Sequence, residues 1–211
     1  MGRRARTAGY RFERDAWRAG LRRVAGVDEA GRGPLAGPVV AAAVILHPER
    51  PIKGLQDSKL LTPARRSELF TRILDEAVAV GVGSVDAETI DRINILEATR
   101  QAMLEAIHAL AVPPELVLID ALRLAALLSP QKSLIQGDRR SASIAAASIV
   151  AKVTRDRLMT EYDRQFPEYG FARHKGYCTP AHLAALAKHG PCLLHRRTFH
   201  GVWRQGELFA G

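Results

Sequence analysis

The segment Asp28-Glu29-Ala30-Gly31-Arg32-Gly33 constrains this chain more than any other, because two adjacent carboxylates directly follow the apolar residues 24–27. After a loop rich in Gly and Pro at residues 31–37, a second apolar run covers residues 38–46. The two runs are predicted to be strands joined by this loop. Burying ionised carboxylates costs several kcal/mol unless a cation or hydrogen-bond donors meet them. The pattern therefore predicts a hard divalent cation, Mg²⁺ or Mn²⁺, held by carboxylate oxygens.

Hydrophobic patterning places this pair of strands in a larger α/β domain. The pair Thr62-Pro63 predicts a helix start, because Thr accepts a hydrogen bond at the N-cap and Pro fits the first helical position. Strands are predicted at residues 24–27, 38–46, 77–85, 116–119 and 133–136. Helices are predicted at residues 62–76, 94–110, 143–162 and around 180–189. This order predicts an α/β fold with a mixed five-stranded sheet, helices on both faces and a C-terminal helical extension.

The domain organisation is predicted from where charged and apolar residues fall along the 211 residues. Residues 1–20 contain six arginines and are predicted to form a basic N-terminal arm or a short helix. Residues 21–200 are predicted to form the folded domain, and residues 201–211 a tail. No apolar segment follows the first arginines, so no secretory signal is expected. No apolar run reaches the ~18 residues of a membrane span, so no membrane partner is expected.

The cysteine content and the net charge indicate a compartment and a class of partner. The chain has two cysteines, Cys178 and Cys192, which favours a reducing, cytoplasmic compartment without a disulfide framework. A monomer is the default expectation. The formal net charge is +9, which favours a polyanionic partner, with nucleic acid ahead of an anionic membrane surface. A basic surface that simply faces solvent remains the alternative.

Two further acids follow predicted strands, which suggests a shared acidic site. Asp120 follows the apolar residues 116–119, and Asp138 follows the predicted strand at 133–136. Ligands of open α/β sheets collect beyond the strand ends, and four carboxylates there can bind two divalent ions about 3.5–4 Å apart. Neighbouring strand residues point to opposite faces, so Asp28 and Glu29 are expected to share this site only if the strand breaks at Glu29. A single strand-end Asp can also be a turn or cap residue.

At this point the chain resembles a known family, ribonuclease HII, the type 2 ribonuclease H. The resemblance covers roughly residues 24–200. The matching segments are residues 26–39 around the two acids, Asp57-Ser58-Lys59, Leu118-Ile119-Asp120, Gly137-Asp138, residues 143–156, and His174-Lys175-Gly176-Tyr177. The related ribonuclease HIII usually has an additional N-terminal domain and lacks the arginine between the two glycines, so the resemblance favours HII.

The resemblance implies a ribonuclease H-like fold and a metal-dependent endonuclease. Such enzymes cut 5′ of ribonucleotides in RNA–DNA hybrids and of single ribonucleotides in duplex DNA, leaving 3′-hydroxyl and 5′-phosphate ends, and so remove ribonucleotides and RNA primers. The family's four catalytic, metal-binding acids match Asp28, Glu29, Asp120 and Asp138. Asp156 is the rival for the fourth position and ranks lower, because it lies well inside a predicted helix beside Arg155 and Arg157, where an ion pair or a helix surface is the plain explanation.

The resemblance assigns recognition of the ribose to a loop and an aromatic ring. In the family, the loop matching Gly31, Arg32 and Gly33, together with a tyrosine matching Tyr177, recognises the RNA–DNA junction. A glycine loop lets backbone groups approach a 2′-hydroxyl closely, although the same loop can be a plain tight turn. Tyr177 can likewise be an ordinary core aromatic.

Further contacts are predicted from residue type. Lysines and arginines supply duplex affinity through phosphate contacts, and hydroxyls can add donors. The candidate contacts are Arg32, Ser58, Lys59, Ser148, Lys152 and Lys175. Zinc is not expected, because His182, His189, Cys192 and His195 are irregularly spaced, and His174 and His200 are weighed as surface or supporting residues rather than as an acid–base pair.

The end of the chain and the choice of function class leave alternatives open. Residues 205–209 resemble the short peptide with which bacterial replication proteins dock on a sliding clamp, through Gln205, Leu208 and Phe209. Packing of the tail on its own domain is the alternative.

A non-catalytic duplex-binding module and a phosphatase for small phosphate esters are the competing functions. Four acids argue against the first, and the net charge against the second.

Overall fold

A computed structural model describes residues 7–202 of the chain. A five-stranded sheet has the order β3-β2-β1-β4-β5. The strands are β1 (Val24–Ala30), β2 (Val39–Ile45), β3 (Ala79–Val85), β4 (Leu116–Asp120) and β5 (Gln131–Leu134). β2 pairs antiparallel with β1 and β3, whereas β4 pairs parallel with β1 and β5, so the sheet is mixed as predicted.

Seven α-helices lie within the described residues. They are α1 (Arg11–Arg18), α2 (Pro63–Glu76), α3 (Ala87–Ile93), α4 (Ile95–His108), α5 (Ala142–Gln165), α6 (Phe171–His174) and α7 (Pro180–His189). The predicted start of α2 is confirmed, because the Thr62 hydroxyl accepts the backbone N–H of Arg65. The short helix α3 was not predicted. Asn94, with φ of 69°, ends α3, and its side chain caps α4 by accepting the N–H groups of Leu96 and Glu97.

Helices cover both faces of the sheet, which explains why β2 is apolar at every position. Every residue of β2 is buried. Ala41 and Ala43 belong to the core beneath α4, whereas Ala42 and Val44 belong to the core beneath α2 and α5. Alternate residues of a strand point to opposite faces, so a strand covered on both sides needs apolar residues throughout. The prediction of helices on both faces is confirmed.

The central helix α5 approaches β1 so closely that a glycine is required. A Cβ added to Gly26 would lie 2.0 Å from the backbone carbon of Ser143 and 2.2 Å from the nitrogen of Ile144. The first ten residues of α5 are all buried and mostly Ala and Ser, and their small side chains let the helix lie close to the sheet. This contact fixes α5 behind the strand that carries the first two acids.

Residues 7–18 depart from the predicted free basic arm, because they pack on the domain. Of the two alternatives given for residues 1–20, the described part contains the short helix α1. The Glu13 side chain is fully buried and accepts hydrogen bonds from the Ser141 hydroxyl (2.6 Å) and the Ser143 N–H (2.9 Å). A carboxylate at the N-terminus of α5 also interacts favourably with the positive end of the helix dipole. Within residues 7–20 the chain packs on the domain, so no separate arm precedes the predicted boundary at residue 20 in this range. Residues 1–6 lie outside the described residues.

Several predicted element ends are shifted by a few residues. The predicted strand at 133–136 is the edge strand β5 two residues earlier, and Gln136 instead has a left-handed backbone with φ of 54°. Polar residues dominate this strand, so its hydrophobic pattern marks its position poorly. Within residues 7–202, no helix is long and apolar enough to span a membrane.

Candidate functional site

The four predicted acids line one cavity at the end of the parallel strands. Asp28 and Glu29 lie near the end of β1, Asp120 is the last residue of β4, and Asp138 lies in the short 3-10 helix Gly137–Arg139. All four line a cavity of about 920 Å³. Since β1 and β4 run parallel, their carboxyl ends meet at the same edge of the sheet, where ligands of α/β folds collect.

The strand does not break at Glu29, contrary to the expectation. β1 stays paired with β2 through Ala30, and Glu29 lies opposite Ala41. Both acids nevertheless line the same cavity, because the sheet ends one residue later, where Gly31 turns the chain with φ of 98°. Beyond the last paired residue, no further sheet separates the two faces.

A hydrogen bond brings the Asp138 turn beside Asp120. The backbone N–H of Gly137 donates to Oδ1 of Asp120 over 2.6 Å. A Cβ at Gly137 would lie 2.6 Å from the Ile144 side chain and 3.2 Å from that same Asp120 oxygen. The glycine therefore allows the loop after β5 to approach the end of β4 closely.

Burial and mutual repulsion raise the pKa of three of these carboxyls. The pKa of Asp28 is raised well above its ordinary value by burial, and next by the charges of Glu29 and Asp120. Burial also raises the pKa of Glu29, although the Arg32 guanidinium, 3.4 Å away, opposes the shift. The pKa of Asp138 is raised by burial and by the charge of Asp57. Such clustered shifts are typical of functional sites.

The chemistry of this donor set fits a hard divalent cation. The four side chains offer oxygen ligands alone, and Oε2 of Glu29 is buried without a hydrogen-bond partner among the described residues. Within residues 7–202, however, no three acid, imidazole or thiol groups already converge as a complete ligand set. The carboxylates therefore share a cavity without converging on one point. Repulsion between the charges favours the spread arrangement, and a cation would offset it.

The predicted substrate-binding residues surround the acids, with one exception. The cavity is also lined by Gly31, Arg32, Gly33, Ser58, Lys59, Ser148, Lys152 and Tyr177. Lys175 instead lines a neighbouring groove of about 540 Å³, and its ammonium donates to the Thr160 hydroxyl over 2.7 Å. The prediction for Lys175 therefore applies to a position next to the cavity rather than inside it.

The rival acid Asp156 also lies in this groove and not in the cavity. Its carboxylate pairs with Lys152 over 2.6 Å and lies 3.9 Å from Arg66. Asp156 is thus surrounded by cations on the α5 surface. Of the two candidates for the fourth acid, the structure places Asp138 beside the other three.

The histidines and Cys192 form a hydrogen-bonded cluster under the C-terminal segment. His182 and His195 contact each other through their Nε2 atoms over 3.0 Å, and Cys192 donates its N–H to Nδ1 of His195. Nε2 of His174 contacts the carbonyl of Tyr169 over 2.7 Å. These ring nitrogens are engaged with protein partners.

Sequence reasoning missed several residues around the cavity. Arg66 and Ile95 line it without having been predicted. Two arginines behind the loop 31–38, Arg155 and Arg196, are 1% and 0% exposed. Arginine is rarely buried, so neither hydropathy nor spacing signals such a position, and only the uncommon density of backbone carbonyls around the loop explains it.

Replacing Asp28 by Asn is expected to stabilise the metal-free protein. Because burial raises the pKa of this carboxyl above its value in the unfolded chain, the ionised form destabilises the fold at neutral pH. Removing the charge should raise Tm by roughly 2–8 °C, because it relieves a destabilisation of about 1–2 kcal/mol from desolvation and charge repulsion. The difference should shrink as pH falls and wild-type Asp28 takes up a proton.

Thermal unfolding with chelator at several pH values measures this effect. The exposed Asp75 on α2 provides the control, because Asp75→Asn should leave Tm nearly unchanged at every pH. An Asp28→Asn protein that melts at or below the wild-type temperature at neutral pH would contradict the electrostatic account.

Comparisons with known proteins identify similar chains. A family profile described as Ribonuclease HII matches residues 25–202. The chain is 60% identical over 192 residues to a protein named Ribonuclease HII from Geobacillus thermodenitrificans, covering 91% of this chain and 74% of that protein. It is 59% identical over 193 residues to a protein of the same name from Geobacter metallireducens, covering 92% and 91% of the two chains. The solved structure of the PCNA:RNase HII complex from Archaeoglobus fulgidus contains a chain with a TM-score of 0.72 and 27% identity, covering 88% of this chain and 98% of that one.

Proposed function

The chain belongs to the ribonuclease HII family, and from this premise we propose that the acidic cavity is where it hydrolyses nucleic acid. The proposed reaction is metal-dependent cleavage of the phosphodiester 5′ of ribonucleotides, in RNA–DNA hybrids and at single ribonucleotides in duplex DNA. The products carry 3′-hydroxyl and 5′-phosphate ends. The observation that carries the proposal is that four carboxylates from three segments line one cavity, together with a glycine loop and basic side chains.

Asp28, Glu29, Asp120 and Asp138 are proposed to hold two divalent ions, Mg²⁺ or Mn²⁺. When bound, such ions supply an activated water and stabilise the charge of the leaving oxygen. The chain places these oxygen ligands at the end of two parallel strands, where the carboxylates line one cavity in which a cation can bind. The N–H groups of Glu29 and Gly137 orient the Asp28 and Asp120 carboxylates by donating to one oxygen of each.

The residues 31–33 and Tyr177 are proposed to recognise the ribonucleotide. The loop directly follows the two acids of β1, so reading of a 2′-hydroxyl and cleavage would occur at one nucleotide. Tyr177 is 41% exposed at the cavity, although Lys152 and Arg155 lie over its ring, so part of the ring is accessible to pack against a deoxyribose on the next nucleotide. A 2′-hydroxyl at that position would be penalised by the ring.

The duplex is proposed to continue along the basic groove beside the cavity. Arg66 lines both the cavity and the groove, so the two surfaces are continuous. The groove also carries Arg157, Arg164 and Lys175, against Asp156 and Glu161. Cations outnumber acids there, which suits contact with phosphates and predicts salt-dependent binding. Ser58, Lys59, Ser148 and Lys152 are proposed to contact phosphates nearer to the acids.

The proposed function is tested with duplex DNA that contains one embedded ribonucleotide. Incubation with Mg²⁺ or Mn²⁺ should give a single nick 5′ of the ribonucleotide, and chelator should abolish it. An all-DNA duplex of the same sequence is the control and should stay intact. Absence of nicking with either metal, or cleavage of both duplexes alike, would rule the proposal out and leave a duplex-binding module or a phosphatase.

Replacing Tyr177 by Ala should harm cleavage at a single ribonucleotide more than cleavage of a continuous hybrid. The junction substrate has a deoxyribose where the ring packs, whereas the hybrid has a ribose there. The loss of one ring contact worth ~1.4 kcal/mol predicts a drop of about 10-fold in kcat/KM on the junction substrate. The two kcat/KM values measure the effect, and equal losses on both substrates would contradict the junction role.

The tail is proposed to dock on a sliding clamp through Gln205, Leu208 and Phe209, which lie outside the described residues. Support comes from the sequence pattern, and the Archaeoglobus fulgidus relative is in a complex with PCNA. Deleting residues 205–211 should abolish binding to the clamp in a calorimetric titration while nicking of a short duplex continues. Unchanged clamp affinity after the deletion would remove this proposal.

A further inference from the structure

Two adjacent buried residues, His195 and Arg196, contact the supports of both groups that are proposed to read the ribonucleotide. The segment around them pairs with the loop that follows the acids: Gly37 donates to the Leu194 carbonyl and Arg196 donates its own N–H to the Leu35 carbonyl, each over 2.8 Å. The side chains then diverge. Arg196 turns towards the loop, whereas His195 turns towards the segment before Tyr177.

Arg196 binds the loop from behind through backbone carbonyls alone. Its side chain is 0% exposed, and all its side-chain hydrogen bonds go to main-chain oxygens. The acceptors are the carbonyls of Gly31, Arg32 and Pro34, and that of Gly37 twice. A planar guanidinium has five N–H donors in a fixed fork, so it fixes the relative positions of these carbonyls in a way that no other side chain can.

His195 supports Tyr177 through His182. Nδ1 of His195 accepts the N–H of Cys192, so its proton resides on Nε2 and is donated to Nε2 of His182 over 3.0 Å. The remaining proton of His182 is therefore on Nδ1, which donates to the carbonyl of Tyr177 over 2.9 Å. The chain of neutral rings thus fixes the backbone that carries the Tyr177 ring.

Arg155 joins the two supports through a second set of backbone carbonyls. Its guanidinium donates to the carbonyls of Ala36 and Lys175, each over 3.0 Å, and so ties the loop to the residue two positions before Tyr177. A Cβ at Gly31 would lie 2.1 Å from Nε of Arg155. The loop is therefore held by two buried cations, and Gly31 is required by its contact with Arg155.

We propose that His195 and Arg196 are a pair of positioning residues that hold the loop 31–33 and Tyr177 at a fixed separation across the cavity. Arg196 fixes the loop backbone, and His195 fixes the Tyr177 backbone. The separation between the loop 31–33 and the Tyr177 ring thereby matches the distance between a ribose and the next deoxyribose of the substrate. This inference rests on the proposed function, because it assumes that these two groups read the junction.

The first test measures the selectivity that His195 controls. The ratio of kcat/KM on a single embedded ribonucleotide to that on a continuous hybrid should fall about 3- to 10-fold in His195→Leu, in the same direction as in Tyr177→Ala. His195→Gln, whose amide can donate from near the Nε2 position, should keep the ratio near wild type. In the Tyr177→Ala background, His195→Leu should shift the ratio no further, since coupled residues are not additive.

A matched control separates positioning from general stability. Tyr169→Phe removes the hydroxyl's hydrogen bond to the Gly190 carbonyl in the same C-terminal cluster but keeps the ring that packs against His195, so it should leave the ratio unchanged. An unchanged ratio in His195→Leu, or an equal shift in the Tyr177→Ala background, would overturn the role of His195. If the Leu variant fails to fold, the Gln variant still decides, because a shifted ratio there contradicts the proposal.

The second test uses the full burial of Arg196. Arg196→Lys retains the charge but not the fork, so kcat/KM on both ribonucleotide substrates should fall at least ~10-fold. The affinity for all-DNA duplex should fall far less than cleavage, because a side chain that is 0% exposed contacts no phosphate itself and Arg32 is the one predicted phosphate contact in the loop 31–33 that it holds. The same change at the exposed Arg197 should leave cleavage within about 2-fold.

These outcomes distinguish the inference from the function on which it rests. Wild-type protein that never nicks a ribonucleotide substrate would remove the proposed function. Wild-type protein that nicks normally, with Arg196→Lys retaining full cleavage or losing as much duplex affinity as cleavage, would overturn the positioning role alone.

Discussion

Asp120→Asn protein is expected to nick an embedded ribonucleotide at least ~10³-fold more slowly than wild type, because a neutral amide replaces a carboxylate ligand without changing the side-chain volume. The same loss is expected for Asp28→Asn. Folding should be retained, and duplex affinity should stay equal or rise slightly, since one negative charge facing the phosphates is removed. Single-turnover nicking and a separate binding titration measure the two effects.

The control variants for this experiment are chosen from other acids of the chain. Asp75→Asn, at an exposed position on α2, should leave nicking unchanged. Asp156→Asn tests the rival for the fourth acid and should reduce nicking far less than Asp138→Asn, because Asp156 pairs with Lys152 outside the cavity. Turnover of Asp120→Asn near the wild-type rate would contradict the assignment of the acids.

Gly26→Ala should destabilise the fold severely, because it forces apart a helix and a strand that touch through their backbones. The new methyl would lie 2.0 Å from the backbone carbon of Ser143, and two backbones cannot relieve this contact by a rotamer change. Helix α5 would have to move away from β1 along their whole contact. A loss of ~4 kcal/mol or more, with Tm lowered by about 10 °C or no folded protein, is expected.

Thermal unfolding by circular dichroism measures this effect, with Gly9→Ala as the control. A Cβ at Gly9 has no neighbour within 4 Å, so its substitution should change stability by less than ~1 kcal/mol. Equal melting temperatures for the two variants would mean that α5 tolerates displacement, and the fixed geometry behind Asp28 would then be in doubt.

The sequence was most informative where local patterns agree with the fold. The apolar strands, the Thr62 cap and the Ala-rich helix α5 are each specified by residues near in sequence, so the mixed sheet covered on both faces was predicted correctly. The grouping of the acids in one cavity followed from their positions at strand ends. The continuation of β1 through Glu29 was not predicted, because pairing with β2 depends on residues that lie further along the chain.

The sequence was least informative about buried charged residues. Glu13 was assigned to a basic arm, and its burial depends on Ser141 and Ser143, more than a hundred residues away. The burial of Arg155 and Arg196 depends on carbonyls of one irregular loop, which no hydrophobic period marks. The orientation of the carboxylates depends in turn on the cation that they are proposed to bind.

The central claim, that Asp28, Glu29, Asp120 and Asp138 together hold divalent cations at a scissile phosphate, is tested most directly by anomalous scattering from Mn²⁺. The crystal should contain the wild-type protein bound to a duplex with one ribonucleotide, whose scissile phosphate is chemically modified to resist hydrolysis. Two peaks about 4 Å apart are predicted beside the phosphate 5′ of the ribonucleotide, contacted by oxygens of Asp28, Glu29, Asp120 and Asp138. Mn²⁺ bound elsewhere, with these carboxylates still separated around a bound substrate, would contradict the account.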